Sequence, residues 1–118
     1  RAKELGVKKI MVEHPNGYYP EYFSMGLIKS LAREGAYLNI SFGACHPYYG
    51  RHDPRDAAKI IKTVGHQHCN LITDFGQAES PSPVEGMRVW CEILLRCGIA
   101  KDNIEIMVKE NPAKLLEL

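Results

Sequence analysis

Three polar residues that follow apolar runs in this 118-residue sequence are of types that could support acid-base chemistry. Asp74 ends the run NLIT, and His46 lies in the loop GACHPYYG. His14 follows IMVE and directly precedes Pro15, so the chain is expected to be extended there. A carboxylate and an imidazole can bind a divalent cation and accept the proton of a metal-bound water. Asp74 and His14 are therefore candidate catalytic or metal-binding residues.

Each of these residues also has a structural interpretation. Asp74 could form an Asx-turn into Gly76, although the N-cap of the following helix is already supplied by Ser82. His14 could be a loop histidine that hydrogen-bonds a backbone carbonyl. His46 could contact substrate or form part of a lid, or it could be a solvated loop residue.

The segments that must position these residues alternate between strand and helix patterns. Strands are predicted in VKKIMVEH, AYLNISFGAC and CNLITDFG, and helices in YFSMGLIKSLARE, in DPRDAAKIIKTVG and from Pro83 to about Cys97. The N-cap residues Asp53 and Ser82, each followed by proline, mark two of the helix starts. A fourth helix is expected from about Asn103 to Glu110, with a short last turn from Pro112.

Single helices between strands imply parallel pairing, and hence an α/β fold of three parallel βα units plus C-terminal helices. Such a sheet could be doubly wound or could be an arc of a (β/α)8 barrel. We favour the arc, because three strands alone leave two open edges and the chain starts at Arg1 in what resembles the tail of a helix. Residues 1–118 are expected to form a single α/β unit that belongs to a larger barrel.

The carboxyl ends of parallel strands meet at one edge of a sheet, where ligands bind. We expect His14 and Asp74 to lie together at that edge, and His66 and His68 to lie at the opposite one. The run HQHC that contains them superficially resembles a zinc cluster, but no second ligand pair at finger spacing accompanies it. The loop residues predicted to contact substrate at the carboxyl edge are His46, Tyr48 and Gln77.

Composition narrows the class of partner. Fifteen basic and fourteen acidic residues give a formal charge of +1. Because the sequence has no long run of residues with one sign of charge, neither nucleic acid nor a membrane surface is an expected partner. The polar start RAKELGVKK is unlike a signal peptide, and the four cysteines are too few and too irregularly spaced for a disulfide framework. A cytoplasmic protein with reduced thiols and a small-molecule or protein partner is predicted.

The tail IEIMVKENPAKLLEL and the segments LITDFGQ, SPVEGMR and VEHP carry a resemblance that spans nearly the whole chain. The tail resembles the closing segment of the (β/α)8 barrels of the amidohydrolase superfamily of metal-dependent hydrolases, and the other segments are similar to an uncharacterised branch of it. The resemblance implies that His14 ends the sixth barrel strand, and that Asp74 ends the eighth as the catalytic and metal-binding aspartate. LNISFGACHP would then be the seventh strand and its specificity loop.

The resemblance also implies a divalent cation, with zinc as the first expectation. The superfamily's His-x-His on the first strand and its ligands on the fourth and fifth strands have no counterpart here. His14 and Asp74 are the only ligands that it implies, so this chain alone should hold the metal weakly or not at all.

The function expected from the resemblance is the C-terminal portion of a metal-dependent hydrolase with Asp74 as general acid/base, inactive as an isolated chain. Its partners would be a small-molecule substrate and either the missing N-terminal half of the barrel or further copies of the chain. A non-catalytic α/β module that associates with itself or with a half-chain is the alternative. A third interpretation is a doubly wound domain that binds a small molecule. It is less favoured, because no glycine-rich phosphate loop follows any predicted strand.

Overall fold

A parallel β-sheet forms the centre of the computed structural model, which describes residues 1–17 and 23–118. The strands are β1 (Met11–Glu13), β2 (Tyr37–Ser41) and β3 (Cys69–Ile72). They lie in the order β1-β2-β3, and both neighbouring pairs are parallel. The predicted α/β class with parallel strands is confirmed.

The helices follow the strands as the capping residues predict. They are α1 (Met25–Arg33), α2 (Pro54–Val64), α3 (Pro83–Arg96), α4 (Lys101–Glu105) and α5 (Asn111–Leu116). Asp53 and Ser82 accept hydrogen bonds from first-turn backbone N–H groups of α2 and α3, at 2.9 and 3.3 Å. Both predicted N-caps are therefore confirmed. Within the described ranges, no helix is long and apolar enough to cross a membrane.

The C-terminal helical segment differs from the prediction. A π-helical turn, Ile106–Glu110, joins α4 to α5, so the helix begins at Lys101 rather than Asn103 and continues past Pro112. Pro112 lacks a backbone N–H, and its ring would clash with the carbonyl of Val108 in a regular α-helix. The wider π turn accommodates both effects without ending the helix.

The strands are shorter than the apolar runs that predicted them. The second predicted strand extended through Cys45, but β2 ends at Ser41 and residues Gly43–Cys45 form a 3-10 turn. The start of the chain forms a hydrogen-bonded turn, with Leu5 N bonded to Arg1 O at 3.1 Å. Short strands bring the following loops close to the sheet, where the candidate residues lie.

One face of the sheet packs against helices α1 to α4. Trp90 of α3 is fully buried, donates its indole N–H to the carbonyl oxygen of Ile40 at 3.3 Å, and stacks on Phe42 with 5.2 Å between ring centroids. The sheet residues that join the buried helix residues in one core are Leu38, Ile40, Cys69 and Leu71. The core therefore fixes the central strand and the start of the loop that follows it.

The opposite face carries a polar row across the sheet. Glu13 pairs in register with Asn39, and Asn39 with Asn70. The Asn39 side chain donates to the Glu13 carboxylate at 2.7 Å, and the Asn70 side chain donates to Asn39 at 2.8 Å. This face is thus more polar than the face that packs against α1 to α4, and α5 lies on its side of the sheet.

Candidate functional site

His14 and Asp74 meet at the carboxyl edge of the sheet. His14 directly follows β1 and Asp74 lies two residues beyond β3, on either side of the central strand. The His14 Nε2 and Asp74 Oδ2 atoms are 3.3 Å apart, and both side chains are partly exposed. His66 and His68 form a turn that leads into β3 at its amino end. The predicted separation of these four residues between the two edges is confirmed.

Both members of this pair have left-handed backbone conformations. The φ angle is 51° at His14 and 58° at Asp74. Non-glycine residues seldom adopt positive φ, although histidine and aspartate tolerate it better than most. The expectation that Pro15 holds His14 in an extended conformation was wrong, because the chain turns sharply there and Gly17 N bonds to His14 O at 2.8 Å.

Asn16 explains why the chain turns after β1. Its buried side-chain amide donates to Ser41 O at 2.8 Å and accepts from Ser41 N at 3.0 Å. Through these two hydrogen bonds, the Asn16 side chain joins the segment after β1 to the last residue of β2. It fixes the turn on which His14 lies, and it outweighs the local preference imposed by Pro15.

Side chains of the loop after β3 hold the backbone around Asp74. The hydroxyl groups of Thr73 and Ser80 accept from loop N–H groups at 3.3 and 3.2 Å. Gln77 donates its side-chain amide to the carbonyl oxygen of Asp74 at 3.2 Å. Gln77, predicted to contact substrate, is therefore placed to orient Asp74, while the Asp74 carboxylate faces His14.

The loop after β2 forms an aromatic cluster beside the pair. Among the described residues, the His46 ring has centroid distances of 5.1 to 6.2 Å to the rings of Phe42, Tyr48, Tyr49 and Phe75. Phe75 is the residue after Asp74, so the structure brings the predicted substrate loop to the Asp74 loop. Tyr48 is mostly exposed, as a residue at the surface of such a loop should be.

A glycine in α3 allows the Phe75 ring to occupy this position. A β-carbon at Gly86 would overlap the Phe75 ring and would lie 3.3 Å from the Thr73 side chain. The sequence analysis gave no role to Phe75 or Gly86. The sequence does contain a signal for such a role. A glycine lies in the first turns of the helix, and an aromatic residue directly follows the candidate acid.

Burial keeps two of the four thiols, those of Cys45 and Cys69, in the neutral form. All four cysteines are free, as predicted. Burial raises the pKa of Cys45 to about 12, and burial likewise raises the pKa of Cys69 to about 12. The thiolate is the reactive and metal-binding form, so both residues act as small buried hydrophobes at neutral pH.

The His14–Asp74 pair fits two positions of a metal site but does not complete one. Two ligand atoms bound tetrahedrally to one zinc ion at about 2.0–2.1 Å lie about 3.3 Å apart, which matches the observed separation. However, zinc sites use three or four protein ligands, and no group of three histidine, cysteine or acidic residues suited to a metal occurs in residues 1–17 and 23–118. The pair supplies two of the three or four protein ligands that such a site needs.

Comparison of the sequence with models of known protein families and with curated proteins finds no match. The site is consequently defined by its own geometry. Its two main features are the contact between His14 and Asp74 and the left-handed backbone at both residues.

Proposed function

We propose that His14 and Asp74 are the proton-transfer and metal-binding pair of a metal-dependent hydrolase of the amidohydrolase type. The observation that carries this proposal is the 3.3 Å contact between two strand-end residues that both have left-handed backbone. Uncommon backbone conformations cluster at active sites, where the surrounding structure maintains them. Here the Asn16–Ser41 bonds and the side chains of the Asp74 loop provide that support.

In the proposed reaction, Asp74 accepts the proton of the attacking water and returns it to the leaving group. His14 orients the Asp74 carboxylate and stabilises negative charge that develops on the substrate oxygen. A divalent cation bound by these two residues, together with ligands from outside the described residues, would acidify the attacking water. The substrate class is a carbonyl compound with a hydrolysable amide, ester or lactone bond.

The aromatic cluster has a separate role in this proposal. The rings around His46 form an apolar wall next to the Asp74 loop, which would exclude water from one side of the bound substrate. Tyr48 projects outward from the same loop and is suited to contact the part of the substrate that does not react. Gln77 acts through Asp74, because it holds the aspartate backbone.

We further propose that the sheet is an arc of a (β/α)8 barrel. Support comes from the strand order β1-β2-β3, in which each strand lies beside the next strand of the chain. Consecutive strands are neighbours throughout a (β/α)8 barrel, whereas a doubly wound sheet reverses its strand order at a switch point. The pair at the carboxyl edge then lies where barrel enzymes place their catalytic residues.

The experiment is a hydrolysis screen with amide, ester and lactone substrates on the natural protein that carries this sequence, with Zn²⁺, Mn²⁺ or Mg²⁺ added. Asp74→Asn should lower kcat by a factor of about 10² to 10⁴, because the proton acceptor is lost. His14→Ala should lower the bound metal content or kcat. His68→Ala is the matched control, since it changes a histidine at the opposite edge, and it should leave both quantities unchanged.

Full activity of Asp74→Asn with its metal retained would contradict the proposal. Asp74 would then be a turn residue, and the non-catalytic module would become the better interpretation. Far-ultraviolet circular dichroism and the unfolding midpoint of each variant separate loss of activity from loss of structure.

A further inference from the structure

A cavity of about 340 Å³ lies between the polar face of the sheet and α5. Its walls are mainly apolar, and none of its lining residues belongs to the His14–Asp74 site. The lining side chains that the argument uses are Met11, Asn39, Asn70, Ile72, Leu115 and Leu116. Small-molecule sites have volumes of about 300–1,000 Å³, mostly apolar walls and a few convergent polar groups, and this cavity has all three properties.

The polar row on the sheet ends in this cavity with one unused acceptor. Its hydrogen bonds run in one direction, from the Asn70 amide to Asn39 and from the Asn39 amide to Glu13. The side-chain oxygen of Asn70 is left buried without a hydrogen-bond partner among the described residues. Asn70 is only 4% exposed. Buried polar atoms are nearly always paired, so this oxygen indicates that a donor group comes from a bound molecule.

The charges around the cavity indicate that this molecule is neutral. Among the described residues that line the cavity, only Lys9 is charged, and its ammonium group donates to the carbonyl oxygens of Lys114 and Leu115 at 2.9 Å each. The same ammonium group lies 2.9 Å from the Glu117 carboxylate. The charge of Lys9 is therefore already matched, and the lining residues that the structure describes leave no other ionised group to attract an anion or a cation.

We propose that this cavity binds a small, neutral, largely apolar molecule that carries one hydroxyl or amide N–H donor directed at Asn70. Met11 is 54% exposed at the opening, and its flexible thioether side chain can adapt to the shape of the occupant. This inference does not depend on the hydrolase proposal, since the two sites share no residue.

The test titrates the full chain with three probes of similar shape and follows the Met11 methyl group and the Asn39 and Asn70 side-chain amides by NMR. The probes are 4-ethylphenol, which has a donor; ethylbenzene, which has none; and 4-ethylbenzoate, which is an anion. 4-Ethylphenol should give saturable shifts at these groups. Ethylbenzene should bind about 3- to 10-fold more weakly, as expected for loss of one hydrogen bond, and 4-ethylbenzoate should bind more weakly still.

Two variants sharpen the test. Asn70→Leu should retain ethylbenzene binding and lose the preference for 4-ethylphenol. Leu116→Trp changes an exposed residue at the opening, so it should fold normally and abolish binding by filling the cavity, even if Asn70→Leu does not fold. Leu95→Trp, at an exposed position on α3, is the matched control and should leave binding unchanged.

Three results would overturn the inference. They are the absence of saturable 4-ethylphenol shifts, equal affinity for 4-ethylphenol and ethylbenzene, and unchanged binding in Leu116→Trp. If affinity for 4-ethylphenol falls as the protein concentration rises, the cavity is a contact between copies of the chain, and the inference is overturned in that case also.

Discussion

His14 and Asp74 make their contact with backbone angles that most residues avoid. The φ angle is left-handed at each residue, and the two side chains, which follow the two outer strands, lie 3.3 Å apart. Sequence reasoning predicted the shared edge from the strand-helix alternation. It could not predict the turn at His14, because the cause is a tertiary contact between Asn16 and Ser41.

The backbone role and the carboxylate role of Asp74 can be separated by substitution. A left-handed residue with a β-carbon is strained by about 1–2 kcal/mol, whereas glycine is not. We therefore expect Asp74→Gly to have an unfolding free energy about 1 kcal/mol higher than that of Asp74→Ala. Urea denaturation of the two variants measures the difference.

Glu79 provides the matched control for this pair of variants. It is exposed in the same loop and lies outside the left-handed region. Glycine there loses more conformational freedom on folding than alanine does, so Glu79→Gly should be less stable than Glu79→Ala. The same order of stability at both positions would show that the left-handed angle at Asp74 is not maintained in solution.

Among the secondary-structure elements, α3 has the most direct influence on the site. Gly86 in its first turns lies against the Phe75 ring, and Phe75 follows Asp74 in the chain. Trp90, one turn further along, is bonded to Ile40 of the central strand. The helix thus supports both the aromatic cluster and the strand between His14 and Asp74.

Replacing glycine by alanine in two helices should have opposite effects. Gly86→Ala places a β-carbon where the Phe75 ring lies, so we expect destabilisation of about 1–3 kcal/mol from overpacking. Among the described residues, a β-carbon at Gly26 in α1 would meet only the Ser24 hydroxyl, at 3.8 Å, so Gly26→Ala should stabilise by about 0.5–1 kcal/mol through helix propensity. Thermal unfolding of both variants measures the contrast.

A change in the position of Phe75 should accompany the loss of stability in Gly86→Ala. Ring-proton shifts of Phe75 and His46 should move in this variant and remain unchanged in Gly26→Ala. If Gly86→Ala is as stable as the unmodified chain and leaves those shifts in place, α3 does not determine the position of the Asp74 loop.

The C-terminal helix shows why the ENPA tail was only partly understood from sequence. The fourth helix was predicted to end at about Glu110, with a separate short turn from Pro112, yet the π turn before Pro112 lets the helix continue. Asn111 is fully buried there and donates to His66 O at 2.8 Å and Cys69 O at 2.7 Å. Asn111 therefore anchors the helix to the start of β3. Sequence signals for the ends of helices do not predict such a tertiary contact.

For the molecule as a whole, local signals predicted the order of elements and the parallel sheet. The N-caps at Asp53 and Ser82 and the glycines after the helices were sufficient for that, because they determine element boundaries. Side-chain contacts between distant segments were not predictable in the same way. The placement of α5 against the polar face of the sheet depends on such contacts, including those of Lys9 with residues 114 and 115.

The sheet edges lead to a prediction about assembly. Among the described residues, β1 and β3 each pair only with β2, and unpaired strand edges promote association. We expect the sedimentation coefficient of the chain to rise with concentration. Met11→Lys, which adds a charge to β1, should reduce this rise, whereas Val84→Lys at an exposed position on α3 should not. A compact monomer at all concentrations would contradict both the expected association and the interpretation as a barrel arc.

The position of Trp90 gives the protein a built-in optical reporter. It is the single tryptophan of the chain, its ring is stacked on Phe42, and Phe42 in turn contacts the rings of His46 and Phe75. Any ligand that shifts the loops around Asp74 must disturb this stack of rings. Changes in intrinsic fluorescence, excited at the indole absorption band, should therefore follow occupancy of the carboxyl edge in real time without an attached label.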